Sequence, residues 1–485
     1  MRVAVIGAGP AGLTAALKLR QGGADVDVFE ASSMIGGLSR TIELWGQYVD
    51  IGPHRFFSTD GRVNQFWLDV VGTNYRMVDR LTRVHYQGEL IDYPIRPISA
   101  IRQLGWRDAG MCLASYLRQK LVPGRSDSSE NSFETWVTKR FGRRLYEHFF
   151  KAYSEKLWGI PCSELSSDFA AQRIRSFSLW QAVVSATSPR HANTHKTLVD
   201  RFAYPIGGTG AVYHSIATQY CQQGGRITTD CPVNRLICDG DRVKAIRWDN
   251  GQTDEFDHVI STMPLPHLIA SLASESAMEH GQAPASVQTA AQQLSFRNTV
   301  LVYLHIDHES LFDDQWLYIQ SDDVRIGRVT NFRNWIPEVY GESSTTVLAI
   351  EQWCNADDDQ WRESDRKIIA RCVDELVQLR LLRSDEVLDG HVIRIPRSYP
   401  VYRRGYRNHL DCVSQYLSGI GGLSVIGRYG AFKYNNQDHS ILMGLLAAEN
   451  VLHDASHDLW NVNSDFDQYQ EKTLITENGL VTSVG

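Results

Sequence analysis

The sequence predicts an α/β fold: a dinucleotide-binding βαβ unit at the head of the chain, a helical insertion, and a lobe floored by an antiparallel sheet. Three observations predict it. An apolar run at residues 3–6 leads into a glycine turn and a helix, and strand and helix text of the same kind returns at 201–270 and 416–485. Four alternating segments, 296–306, 315–320, 325–332 and 345–353, read as antiparallel strands. The expected division is therefore 1–80, 201–270 and 416–485 for the nucleotide-binding domain, 81–200 for a mainly helical insertion and 271–415 for the sheet lobe.

Composition bounds the partners. With 485 residues, 43% hydrophobic and 22% charged, the chain is long enough for a large core in two or three lobes. A formal net charge of −7 gives no electrostatic reason to expect nucleic acid. No uninterrupted apolar run is long enough for a transmembrane segment, and a first strand starting at residue 2 leaves no room for a signal peptide, so the expected location is cytoplasmic. The eight cysteines form no CxxC pair and read as reduced core thiols, not metal ligands.

In the first unit, Gly7, Gly9 and Gly12 serve a tight turn, close backbone approach to a pyrophosphate and close helix–strand packing. Pro10 and Ala11 open a helix whose N-terminus aims at the phosphates, and Glu30 ends the second strand, where an acid takes ribose hydroxyls. Behind it stand Gly36, Gly37, Leu38 and Arg40. A second glycine pair here resembles the flavin extension of the glutathione-reductase-type Rossmann fold, as in amine oxidases, protoporphyrinogen oxidases, phytoene desaturases and UDP-galactopyranose mutases. The cofactor that this implies is FAD.

Residues 41–60 read as a short strand pair ending in the turn Gly52-Pro53-His54, backed by Asp50 and suited to lie against a flat ring. Strand text at 83–94 gives way to a helix at 98–121, a polar loop at 123–132, a helix capped by Ser132 and a second helix at 143–156 that breaks at Gly159-Ile-Pro161. A glycine cluster at 207–210 opens the next helix, and strands at 231–238, 243–248 and 258–264 return the chain to the nucleotide domain, with Val233 on the adenine side. The last buried strand is 424–428, and 440–453 is the closing helix.

Matches along nearly the whole chain narrow the resemblance. They include Asp50-Ile-Gly-Pro-His54, Tyr93-Pro94, Tyr153-Ser-Glu-Lys-Leu-Trp-Gly-Ile-Pro161, Gln172-Arg173, Gln315-Trp-Leu-Tyr318, and Gly427-Arg-Tyr-Gly-Ala-Phe-Lys-Tyr434 with Asn436-Gln-Asp-His-Ser440 just after it. This set resembles the UDP-galactopyranose mutase family, whose reduced flavin attacks the anomeric carbon of a nucleotide sugar through N5, so that the ring reopens and recloses as a furanose. The resemblance implies Arg173 and Arg325 as the diphosphate grip, with Arg328 a competitor for Arg325, and His54 at the catalytic loop. It implies Tyr93, Arg96, Trp316, Tyr318, Tyr399 and Tyr434 as substrate contacts, and Gly52, Pro53, Gly427, Arg428, Asn436, Gln437 and Ser440 as flavin contacts.

Two departures bear on specificity. Ile95 and Arg96 replace the family's aromatic and amide for uracil, so an anionic substrate other than the standard one is admitted. Pro53 replaces a small residue and removes an N–H beside His54. The alternative reading is an FAD-dependent oxidoreductase of the amine oxidase or protoporphyrinogen oxidase type, passing electrons to an acceptor, and NAD(P)H is an admissible external reductant for a mutase. The sugar, the base and the oligomeric state stay open.

Overall fold

A computed structural model of the chain describes residues 1–93, 97–121, 132–168, 201–248, 251–274, 283–340, 343–462, 472–477 and 479–483. At its centre is a five-stranded parallel sheet, in the order Leu423–Val425, His258–Ser261, Arg2–Ile6, Asp25–Phe29, Arg226–Thr228. Residues 3–6 of the central strand are apolar on both faces because both are covered. Val3 and Val5 pack in the cluster built with the helices Pro10–Gln21, Gly210–Gln222 and Gln437–His453. Ala4 and Ile6 face the opposite layer, a four-stranded sheet of Thr253–Glu255, Arg242–Trp248, Val233–Asp239 and Leu272–Ser274. The first and last helices cross almost backbone to backbone: a Cβ at Gly444 would stand 2.5 Å from the Ala11 carbonyl oxygen.

The second lobe is a seven-stranded sheet in the order Val387–Pro400, Phe296–Ile306, Thr346–Cys354, Arg328–Asn331, Trp316–Ile319, Thr82–Tyr86, Glu89–Asp92. Its four expected strands are present, and three more extend it. Val387–Pro400 was not expected because Gly390, Pro396 and Pro400 punctuate it. It lies at the sheet edge, where a missing N–H costs no ladder bond. Thr82–Tyr86 and Glu89–Asp92 close the opposite edge, so residues 82–92 belong with the sheet although they precede the helices.

The inserted helices begin at Pro97–Leu121 and continue at Phe133–Phe141, where Ser132 Oγ caps by accepting the Thr135 N–H at 3.2 Å. The single helix expected at 143–156 is instead Arg143–Tyr146, a π turn at Glu147–Lys151, and Ala152–Trp158. The extra residue of a π turn rotates the next helical segment about its axis. Tyr153, Lys156 and Trp158 stand on that rotated segment. A C-terminal hairpin, Lys472–Thr476 with Gly479–Ser483, was also not expected; Thr476 accepts the Tyr75 hydroxyl at 2.6 Å. All eight cysteines are unpaired, five of them buried, but Cys221 is exposed and Cys238 and Cys412 are half-buried. Among the described residues no helix is long and apolar enough to cross a membrane.

Candidate functional site

The cofactor cradle begins where side chains have no room. Gly7 adopts φ +100°, and a Cβ there would lie 2.0 Å from Thr262 Oγ1; one at Gly12 would lie 2.0 Å from the Gly7 carbonyl. Glu30 closes the turn from the neighbouring strand, its Oε2 accepting the Ala8 N–H at 2.7 Å and its Oε1 the Ser32 N–H and O–H at 2.9 Å each. The second glycine pair lies on the first. Gly36 N–H donates to Ala8 O at 2.8 Å, and a Cβ on Gly37 would stand 3.1 Å from Gly9 Cα. Pro10 is the first residue of the Pro10–Gln21 helix and Ala11 is buried beside it, while Leu38 packs in the core cluster next to the sheet lobe.

Arg40 stands just beyond, its Nε buried and without a hydrogen-bond partner among the described residues. Gly427, at φ +83°, presses on Ala11 with only 3.3 Å left for a Cβ. Val233 is buried two residues beyond Cys231, whose N–H donates to Glu30 O at 2.9 Å. Glycines without Cβ clearance, a helix N-terminus, a buried guanidinium nitrogen without a partner and an acid at the strand end are the donor and acceptor set that FAD requires.

Asp50 organises the turn that faces this cradle. It is fully buried, accepting Thr41 Oγ1 at 2.5 Å, the Thr209 N–H at 3.0 Å and the Tyr204 hydroxyl at 2.8 Å. Burial pushes its carboxyl up to about 6, against the pull of those three donors. Gly52 takes φ +113° so that the chain can reverse, with Pro53 half-buried after it. The carbonyl of His54 then accepts Thr209 Oγ1 at 2.9 Å and Gln437 Nε2 at 3.2 Å. Gln437 in turn accepts the Tyr213 hydroxyl at 2.7 Å. Burial, reinforced by the charges of Arg428 and Arg328, holds the His54 imidazole down to about 3, so the ring is neutral throughout the physiological range.

Beyond His54 lies a ring of aromatics around two guanidiniums. Tyr399 and Tyr434 stack with centroids 5.4 Å apart at 17°. Arg428 sits over both, 4.9 Å and 4.5 Å from their centroids, and donates to Ser398 O with Nε and Nη2 (3.0 and 2.7 Å) and to Asn435 O with Nη1 (2.9 Å). Trp158 meets both tyrosines edge-on at 6.2 and 6.1 Å. Tyr318 meets Tyr93 at 5.2 Å and Tyr153 at 5.5 Å, and Trp353 joins Tyr153 to Tyr399 at 5.6 and 6.3 Å.

Within this ring Arg328 forks onto Glu351, Nε to Oε1 at 2.5 Å and Nη2 to Oε2, and also reaches the Tyr399 hydroxyl at 3.3 Å. Burial alone would depress its pKa, but Glu351, with Tyr399 and Tyr153, outweighs it and keeps the guanidinium charged. Burial pushes the phenols of Tyr153 and Tyr399 up, so both remain O–H donors.

The structure does not bring every expected residue to this place. Arg325 is exposed in the loop before the strand, with no side-chain hydrogen bond or ion pair among the described residues, whereas Arg328 is at the centre. The parity of the strand decides this: Arg328 is its first residue and stands directly opposite Glu351. Arg96 and Arg173 lie outside the described residues. Trp316 is buried one step deeper than Tyr318, packed on Trp335 at 5.6 Å, and Tyr93 stands at the exposed rim. Asn436 is an exposed N-cap, while Gln437 and Ser440 are buried in the first turn of the closing helix. Glu351 and Trp353 were missed: they lie in a continuously buried strand whose sequence carries no motif, and only the charge at Glu351 among eight buried neighbours could have flagged it.

Comparison with known proteins agrees with this geometry. The profile of the family described as flavin containing amine oxidoreductase matches residues 10–452. The zeta-carotene-forming phytoene desaturase of Myxococcus xanthus is 25% identical over 294 residues, 56% of this chain and 55% of that protein. A probable UDP-galactopyranose mutase of Klebsiella pneumoniae is 30% identical over 173 residues, 34% of this chain and 42% of that one. The chain thus spans about half the length of these curated relatives or less. Among solved structures, reduced UDP-galactopyranose mutase superposes with a TM-score of 0.83 at 23% identity, covering 96% of this chain and 97% of that one, which is a likeness of fold. With a family match over nearly its whole length and a cradle to suit, the chain is an FAD flavoenzyme that belongs to the flavin containing amine oxidoreductase family.

Proposed function

We propose that this chain is a pyranose–furanose mutase acting on a nucleotide-linked sugar. The observation that carries the reading is the chemical character of the ring beyond His54: among the described residues, two guanidiniums and a set of protonated phenols, with the carboxylate in their midst, Glu351, already committed to Arg328. Such a site offers donors to a departing diphosphate, and among the described residues it offers no unpaired carboxylate to act as a base. An amine substrate, cationic at neutral pH, would meet a net positive charge, since Glu351 offsets only one of the two guanidiniums.

Once bound in the cradle and reduced, FAD would supply a nucleophilic ring nitrogen. The residues of the chain do the rest. Arg328 binds the diphosphate, with the Tyr399 hydroxyl beside it to donate to a phosphate oxygen. Tyr318 and Tyr153 form the wall for the sugar or base, with Tyr93 at the rim. His54, fixed through its own carbonyl by Thr209 and Gln437, presents a neutral ring that adds no competing charge. Arg428, stacked on Tyr399 and Tyr434, keeps the electrostatic potential of the pocket positive.

The family match itself favours a second reading, an oxidoreductase in which Arg328 and Arg428 clamp substrate carboxylates. Anaerobic incubation with UDP-, GDP- and dTDP-hexoses, before and after dithionite reduction, separates the two. Furanose formed only by reduced enzyme supports the mutase. Flavin reduction by a porphyrinogen or an amine, with no furanose from any donor, refutes it.

A further inference from the structure

The loop that delivers Arg328 is held by two charged groups that neither the cradle nor the aromatic ring uses. Lys156 lies in Ala152–Trp158, three residues after Tyr153, with its stem buried. Its ammonium donates to the carbonyls of Ser321 at 2.7 Å and Ile326 at 2.9 Å, at the two ends of the loop. From the opposite side, Glu375 Oε2 accepts the N–H groups of Arg325 at 2.9 Å and Ile326 at 3.0 Å. Ile326 is therefore gripped at both its oxygen and its nitrogen. Gly327 donates to Glu351 O at 2.9 Å and has no room to shift, since a Cβ there would stand 2.0 Å from the Trp353 ring. The next residue is Arg328.

We infer that Lys156 is a positioning residue, tying the inserted helices to the sheet lobe through the Ser321–Ile326 loop and so aiming Arg328 at the anionic end of the substrate. This rests on the reading of Arg328 as the diphosphate partner. The groups that face the ammonium are Glu375 from the Asp365–Gln378 helix and Asp322 and Asp323 from the loop. Arg297 reaches in from Phe296–Ile306, its Nη2 donating to the carbonyl of Lys156 at 3.3 Å. Burial draws the Lys156 ammonium down to about 8 against the pull of the three carboxylates. Charge-assisted bonds are about twice as strong as neutral ones, so the grip is full below that pH and weakens above it.

The test uses the full FAD-loaded chain, with UDP, GDP and dTDP as probes titrated by flavin absorbance from pH 6.5 to 9.5. Wild type loses about tenfold in affinity across a midpoint near 8, Lys156→Met is about tenfold weaker throughout with no midpoint, and Lys156→Arg binds well without one. Hydrogen exchange of residues 321–328 is read in parallel and is expected to quicken in Lys156→Met at unchanged flavin content. Wild-type affinity and pH dependence in Lys156→Met, or a loop as protected as in wild type, overturns the inference. If the loop loosens but wild type binds none of the three diphosphates at any pH, the diphosphate reading of Arg328 falls and the loop-holding role stands.

Discussion

Replacing Glu351 while keeping Arg328 puts the pocket's central ion pair to the test. The two side chains are 3% and 14% exposed, directly opposite in the strand register, and joined by a two-point fork. Removing one partner of such a buried pair leaves an uncompensated charge, a cost of about 3–5 kcal/mol, whereas replacing both by apolar groups of like size is near neutral. Glu351→Leu and Arg328→Met are therefore each expected to destabilise by about 3 kcal/mol or more, and the double variant to return to within about 1 kcal/mol of wild type. Denaturant unfolding at fixed, saturating FAD measures all four proteins on one scale. The double variant, though folded, is expected to lose substrate turnover entirely, because the diphosphate partner is gone. Additive single costs, with the double variant losing about 6 kcal/mol or more, would refute a coupled pair and with it the placement of Arg328.

The same geometry gives three further outcomes. Gly12→Ala places a Cβ 2.0 Å from the Gly7 carbonyl, so the purified protein is expected to carry no flavin, read from its visible absorbance. Asp50 is raised in the folded state to about 6 from an ordinary 3.8, so the folded chain holds a proton that the unfolded chain has released. Wild-type stability relative to Asp50→Asn then falls by about 2 kcal/mol as pH rises from 4 to 6, within a total of about 3 kcal/mol, and is level above about pH 7; a flat difference across pH 4–7 contradicts this assignment. Arg428→Lys keeps the charge but loses the planar fork to Ser398 and Asn435 and the stack on two rings, so its pocket should bind diphosphate about tenfold more weakly, and unchanged binding would exclude that role.

The cofactor cradle was legible in the sequence because it is nearly local. Gly7 to Arg40 spans one βαβ unit and its extension, and Gly12, Gly36 and Gly37 answer steric demands set within it, while Gly7 answers one set by the distant Thr262. The edge strand Val387–Pro400 was illegible because its prolines are tolerated only where no neighbour needs their N–H, and position in a sheet is not written in a single strand. The π turn at Glu147–Lys151 was equally hidden: the text reads as continuous helix, and the register change appears only in the backbone.

The choice between Arg325 and Arg328 marks the same boundary. Readable from the residues alone were the FAD domain, four of the sheet lobe's strands and the kinds of side chain available to the pocket. The tertiary structure decided which of them meet. Pairing Arg328–Asn331 with Thr346–Cys354 sets Arg328 against Glu351, 23 residues away, and leaves Arg325 in solvent. Tyr153 arrives from the insertion, Tyr399 from the edge strand and Tyr434 from the return to the flavin domain. A pocket assembled from such distant segments depends on strand register and helix phase, which a shift of one residue reverses and which only the packed fold fixes.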